Sequence, residues 1–255
     1  MNSSHDIDSF FKPVRLEHSV SDADYERVQP YIESFTGLAR IANMSLYLID
    51  YHKREFLYVS PNPLFLCGYS REEVKSFGYD FYFKVVPPED LKMLMEINEK
   101  GFGYFYQQPA EKRRNIYFSY DFRLKHLNNQ TYMVNHKITP FALASDGDIW
   151  LSLCIVSLST KETPGHVYMQ EFDSLNRLEY SFKTKRWKTT QAITLTEREK
   201  EVLQLSAQGY TAQDIADRIF VDVSTVKFHK TNIFNKLGVN NMMEAVYFAS
   251  VNHAI

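Results

Sequence analysis

The chain has 255 residues, 44% of them hydrophobic and 15% aromatic, enough to bury the cores of two ordinary domains. Its formal charge of −2 excludes a global basic field, so any contact with a polyanion must come from a local arrangement of cations. Cys67 and Cys154 lie far apart without CxxC spacing, which argues against a cysteine-built metal site and fits a reducing cytoplasm. No basic-then-apolar leader and no run of about 18 apolar residues occurs, so neither export nor a membrane contact is expected.

Residues 1–40 read as an N-terminal helical segment. Ser21 to Ile41 is rich in helix-compatible residues, but Pro30 interrupts it and Gly37 weakens it, which predicts one or two short helices. From Ser45, Leu46 and Leu48, then Phe56 and Tyr58, alternate around the polar turn Tyr51-His52-Lys53-Arg54, the pattern of a half-buried hairpin. Residues 61–111 read as short helices and turns, ending in a longer helix that starts near Pro88-Glu89-Asp90, where proline and acids suit a helix start. Three strand-like runs follow, Asn115–Leu127, Gln130–Ala142 and Asp148–Ser159, separated by Asn128-Asn129 and Ser145-Asp146-Gly147-Asp148. Residues 41–160 thus form one α+β domain.

Residues 161–193 read as a linking β-hairpin, with His166–Phe172 and Arg177–Trp187 flanking Asp173-Ser174-Leu175-Asn176. It ends in the cations Lys183, Lys185, Arg186 and Lys188. Either these lysines guard a strand edge against unwanted pairing, or they add a phosphate contact beside the next domain.

Residues 194–255 read as an all-α unit of four helices. Thr196-Glu197-Arg198-Glu199 has capping-box spacing ahead of Val202, Leu203 and Leu205, and Gly209 ends that helix. Thr211-Ala212-Gln213-Asp214 repeats the device for a shorter helix with Ile215, Ala216 and Ile219. A third helix starts after Asp222 and stops at Gly238, and a fourth runs from Asn241 to about Ala249. Wound at 100° per residue, the third helix buries Val226, Ile233 and Leu237 and exposes Ser224, Phe228, Thr231 and Asn235, flanked by Thr225, Lys227 and Asn232. That surface suits base edges and phosphates in a major groove, and equally the polar face of a bundle helix.

Leu195-Thr196-x-Arg198-Glu199-x-Glu201-Val202-Leu203, Gly209, Ile215-Ala216, Thr225-Val226-Lys227-x-His229 and Lys236-Leu237-Gly238-Val239 together resemble the LuxR/GerE (NarL/FixJ) helix-turn-helix family. The resemblance implies binding to double-stranded DNA through the third helix, with Gln213, Ser224, Thr225, Lys227, Phe228, Thr231, Asn232 and Lys236 as the contacting set. Lys227 and Phe228 would reach bases, and Thr225 and Lys236 would approach phosphates. It also implies a homodimer contact on the fourth helix, at Met242, Met243, Val246 and Tyr247. That apolar surface has a competing use, as a face covered by the amino-terminal domain. Residues 195–255 hold six lysines and arginines against seven carboxylates, so affinity is expected to lean on dimerisation.

The order strand, strand, helices, three strands, with Asn62, Gly68-Tyr69-Ser70-x-Glu72-Glu73-Val74 and Pro88-x-Asp90, resembles a PAS domain over residues 41–160. It implies a five-stranded antiparallel sheet with helices, cupping a pocket for a small-molecule ligand or serving dimerisation. Candidate lining residues are Leu48, Leu57, Phe65, Phe81, Phe118, Phe122, Val134 and His136. The aromatics among them serve equally as packing, and His136 as a hydrogen-bonded core residue. Cys67 lies in Leu66-Cys67-Gly68-Tyr69, not the Asn-Cys-Arg-Phe context of flavin-binding members, and the helix of residues 89–101 carries no histidine for haem. Neither flavin, haem nor a metal is expected. No Gly-rich phosphate loop, GxSxG or HExxH marks an enzyme. The expectation is a cytoplasmic one-component transcriptional regulator; the alternative is an amino-terminal domain that only dimerises or docks a protein.

Overall fold

The computed structural model describes Asp8 and residues 10–15, 20–172, 176–191 and 194–251, and the chain divides after Thr190 into two units. The turn expected at Asp173-Ser174-Leu175 lies outside the described residues.

In the first unit α1 (Asp22–Ile41) is one continuous helix, not two short ones. Pro30 costs it a backbone hydrogen bond. A capping box between Ser21 and Asp24 secures its start, while Ile32 and Ala39, with Val28 and Phe35, pack it onto the sheet, and this tertiary burial overrides the local penalty. The strands β1 (Ser45–Asp50) and β2 (Glu55–Val59) follow, then the short helices α2 (Pro63–Leu66), α3 (Arg71–Phe77) and α4 (Asp80–Val85), and the long α5 (Pro88–Gln107). Three antiparallel strands, β3 (Ile116–Lys125), β4 (Thr131–Leu143) and β5 (Ile149–Leu158), complete the sheet implied by the PAS resemblance, in the order β2-β1-β5-β4-β3. Gly68 in the Gly-Tyr-Ser motif takes φ +93°, and a Cβ there would come within 2.7 Å of the His126 ring.

The sheet does not stop at five strands. β6 (Gly165–Glu171) pairs with the edge of β3, and β7 (Asn176–Ser181) and β8 (Arg186–Gln191) continue it to eight. The segment read as a linking hairpin is therefore part of the sheet, and Arg177–Trp187, read as one strand, is broken by a turn. In that turn Ser181 O accepts from Lys185 N (2.8 Å), and Lys185 adopts φ +56°.

β1 is buried on both faces, where a half-buried strand was expected. Tyr47 and Ile49 join the aromatic core beneath α2–α5, while Leu46 and Leu48 face α1 with Tyr58 and Leu57. On α5 the buried Asp90 accepts from Arg123 N (2.8 Å), Nε (3.1 Å) and Nη2 (2.6 Å), which locks the helix start to β3.

The second unit is four helices, α6 (Glu197–Ala207), α7 (Ala212–Arg218), α8 (Val223–Leu237) and α9 (Met242–Val251). Their own core holds Val202, Leu203, Ile215, Val226, Ile233, Leu237 and Ala245.

Asp90→Ala leaves Arg123 with the exposed Glu89 as its remaining carboxylate, so the first unit should lose about 2–4 kcal/mol of stability. Both tryptophans, Trp150 and Trp187, lie in this unit, so the denaturant midpoint of tryptophan fluorescence reads the loss. An unchanged midpoint would remove the lock from the account.

Candidate nucleic-acid interface and ligand cavity

The second unit is built from local signals. Thr196 caps α6 through Glu199, and Thr211 caps α7 through Asp214, each with both hydrogen bonds of the box. Gly238 closes α8 in the left-handed conformation, at φ +63°. Asp222 stands at the N-cap of α8 without a side-chain cap bond. Asn241 serves as the cap of α9, its Oδ1 accepting from Glu244 N (2.9 Å).

On α8, Val226, Ile233 and Leu237 are buried as the periodicity required. Ser224, Lys227, Phe228 and Thr231 are exposed, and Thr225 and Asn232 are half-buried beside them. Phe228 leaves 62% of its surface to solvent, an apolar ring on an otherwise hydrophilic face. Thr231 Oγ1 donates back to Lys227 O (3.1 Å), which leaves the hydroxyl oxygen free to accept. Gln213, on α7, is exposed and donates to Asp217 Oδ1 (2.9 Å).

Lys236, expected to approach a phosphate, is also an ion-pair partner within the domain. Its Nζ lies 2.7 Å from Glu199 Oε2, so one of the three ammonium donors is engaged by a buried carboxylate while the side chain stays partly exposed. Burial alone would raise the Glu199 pKa, but hydrogen bonds from Lys236 and from Thr196 outweigh it and hold the carboxyl below its ordinary range. Arg198 is a residue the sequence reading quoted without assigning. Its Nη2 donates to Ile219 O (2.9 Å) and its Nη1 to Glu201 (2.6 Å), clamping the start of α6 to the turn before α8.

The four residues expected at a dimer contact fall into two groups. Met242 and Val246, with Phe248, pack against the unit's own core, because Ala245 and Ala249 bring α9 close. Met243, 84% exposed, and the half-buried Tyr247 are left on the outer side.

In the first unit the expected pocket residues do not converge. Leu48 and Leu57 lie on the α1 side of the sheet, since strand alternation turns them away from Tyr47 and Phe56. Phe65, Phe81, Phe122, Val134 and His136 are packed core. Phe118 alone of the eight borders a small apolar cavity of about 50 Å³, with Tyr51, Gly101, Phe102, Phe105, Tyr120, Ile138 and Ser152 among its other walls.

His136 Nε2 is hydrogen-bonded to the Tyr47 hydroxyl (2.6 Å), which in turn bonds the Tyr82 hydroxyl, while its Nδ1 has no hydrogen-bond partner. Burial lowers its pKa to about 3. Burial also pushes the Cys67 thiol up to about 12, and among the described residues no cluster of His, Cys, Asp and Glu could hold a metal ion. No described helix is long and apolar enough to cross a membrane.

The family model for bacterial regulatory proteins of the luxR family matches residues 193–249. This unit is a LuxR-type helix-turn-helix domain. The chain is 42% identical over 62 residues to the transcriptional regulatory protein LiaR of Bacillus subtilis, which is 24% of this chain and 29% of that relative. It is 47% identical over 55 residues to the oxygen regulatory protein NreC of Staphylococcus aureus, 22% of this chain and 25% of the relative. The chain thus spans less than a third of the length of these curated relatives. Two solved structures extend further: a Vibrio cholerae VqmA dimer (TM-score 0.30, 18% identity, 87% of this chain and 86% of that one) and the PAS domain of Bordetella pertussis BvgS (TM-score 0.35, 14% identity, 52% and 90%).

Two measurements test these sites. Because the native Glu199 pKa is lowered, its contribution is fully present above the ordinary glutamate pKa and is lost as pH falls from there through the lowered native value. Amide-exchange protection of Val202 and Ile233 should therefore fall below about pH 4.5, and Glu199→Gln should be less protected at pH 7 yet insensitive over that interval. A parallel acid response in both proteins would argue against the pair. His136 has the same sense for the opposite charge: the unfolded chain takes up a proton near the ordinary pKa of 6.5 and the native state refuses it until about 3. Stability of the first unit should drop by up to about 1.4 kcal/mol per pH unit across that window, and His136→Phe should flatten the profile.

Proposed function

We propose that the chain is a one-component transcriptional regulator whose helix-turn-helix domain binds promoter DNA as a homodimer and whose amino-terminal PAS-like domain receives the signal. The observation that carries this is the exposed face of α8, where Lys227, Phe228, Ser224 and Thr231 stand clear of the core on the third helix of the unit, the one we read as the recognition helix. Lys227 supplies donors to a purine edge or a phosphate, and Phe228 supplies apolar contact for a thymine methyl. Met243 and Tyr247 on α9 offer the contact to a second copy, and two-fold symmetry would place the half-sites as an inverted repeat. The curated relatives are regulators, and the chain carries no catalytic motif; we read it as a cytoplasmic, non-enzymatic protein that needs neither flavin nor haem.

The amino-terminal input has two readings. The sheet and α5 flank a partly open cavity lined by aromatic rings, a setting for a small uncharged ligand. Its volume of about 50 Å³, however, is a third of the roughly 150 Å³ that accommodates benzene in an engineered cavity. A ring would enter only if the core opened, which favours the alternative in which this domain docks or dimerises. A compound that raises the melting temperature of wild type but not of Gly101→Leu, which fills the cavity, would support the ligand reading.

Selection of bound duplexes from random DNA by the purified full-length protein should enrich an inverted repeat. On that sequence Lys227→Ala should cost about 1–3 kcal/mol and relax preference at one position per half-site. No enriched motif, or full affinity and preference in the variant, would sink the assignment.

A further inference from the structure

We propose that Lys183, Arg186 and Lys188, on the last hairpin of the sheet, form an accessory contact to the phosphate backbone of DNA held by the helix-turn-helix domain. The proposal rests on the DNA-binding reading of that domain and goes beyond it, because the contact sits on the other unit.

The phase of β8 is fixed by Trp187, whose ring lies 5.1 Å from Tyr180 and 6.2 Å from both Tyr104 and Phe118 by centroid distance. Trp187 faces the aromatic core, so alternation puts Arg186 and Lys188 together on the opposite face. Lys183 is exposed in the turn that joins β7 to β8. The fourth cation of the cluster has another task. Lys185 Nζ lies 2.6 Å from both carboxylate oxygens of Glu96, which also accepts from Tyr180 Oη (2.8 Å), and this pair pins the turn to α5. On β7, Arg177 and Glu179 neutralise each other. Lys183, Arg186 and Lys188 make no ion pair with any described residue and remain a positive patch held on a rigid hairpin. Guarding the free edge of β8 accounts for Arg186 and Lys188. It does not account for Lys183, which lies off the strand.

Charge and reach identify the occupant. The helix-turn-helix domain holds six lysines and arginines against seven carboxylates, and Lys236 is paired with Glu199, so cations outside the domain would add to the backbone neutralisation it supplies. Lys188 precedes the Thr196 cap by eight positions. β8 ends at Gln191, five positions before that cap, so the hairpin and the domain are joined by a short covalent tether, which favours their engaging one duplex together. Such contacts raise affinity without reading sequence.

The test uses the full-length protein and its Lys183→Gln/Arg186→Gln/Lys188→Gln variant, with Lys185→Gln as a second variant. Affinity is measured for the selected duplex and an unrelated duplex between about 50 and 200 mM salt. The triple variant should show a slope of log K against log salt shallower by about 2–3 per bound protomer on both duplexes, with its sequence preference and melting temperature unchanged. Lys185→Gln should keep the wild-type slope. A triple variant with the wild-type slope would overturn the proposal. So would an equal loss in Lys185→Gln, which would trace the effect to hairpin geometry. If wild type binds neither duplex, the DNA-binding reading itself fails and takes the proposal with it.

Discussion

Glu199 is the residue on which the proposed DNA-binding surface depends. Its carboxylate accepts from Thr196 N (2.7 Å) to finish the cap of α6 and from Lys236 Nζ (2.7 Å) near the end of α8. One buried acid therefore closes α6 and fixes the last turn of α8. Arg198 does the complementary work at the other end, tying α6 to Ile219 at the turn that leads into α8. Between these two ties α8 has little freedom to rotate, and the exposure of Lys227 and Phe228 is a property of the domain's frame rather than of their own rotamers. Under the proposed function, the motif residues of α6 act by aiming α8 rather than by touching DNA.

The amino-terminal unit solves a different problem. Its sheet is loaded on both faces, by α1 on one side and by α2–α5 on the other, which leaves β1 without a solvent face. Tyr47, Phe56, Phe65, Phe81, Tyr82 and Phe122 pack against one another in the core, and the cavity of about 50 Å³ lies beside them, against Phe102, Phe105, Phe118 and Tyr120. The polar chain His136–Tyr47–Tyr82 runs through this core with one nitrogen unpaired, an unfavourable arrangement worth about 1–3 kcal/mol. A core with little free space and an unpaired polar atom is poised between packing and binding.

Much of the helix-turn-helix domain was legible because its determinants are local. Thr196 and Glu199 are three residues apart, as are Thr211 and Asp214, and the two faces of α8 follow from helical periodicity within fifteen residues. What escaped was long-range. Lys236 reads as a free cation until Glu199, 37 positions away, is brought beside it. Pro30 reads as a break until α1 is laid on the sheet. The pocket set failed for a related reason. Alternation shows that Leu48 and Leu57 have a hydrophobic side, but which layer covers that side depends on where α1 packs. Arg177–Trp187 has strand-forming composition throughout, and only the left-handed Lys185 and its bond to Glu96 divide it. The eight-stranded sheet was hidden because edge pairing of β6 with β3 joins segments some 50 residues apart.

The central claim is that the exposed face of α8 reads base edges in a major groove. It is tested most directly by exchanging single thymines of the selected duplex for uracil, which removes one methyl group, and measuring the affinity of wild type and Phe228→Ala. The account predicts one thymine per half-site whose exchange weakens wild type several-fold and leaves the variant unaffected. Equal losses in both proteins, or no loss at any thymine, would contradict it.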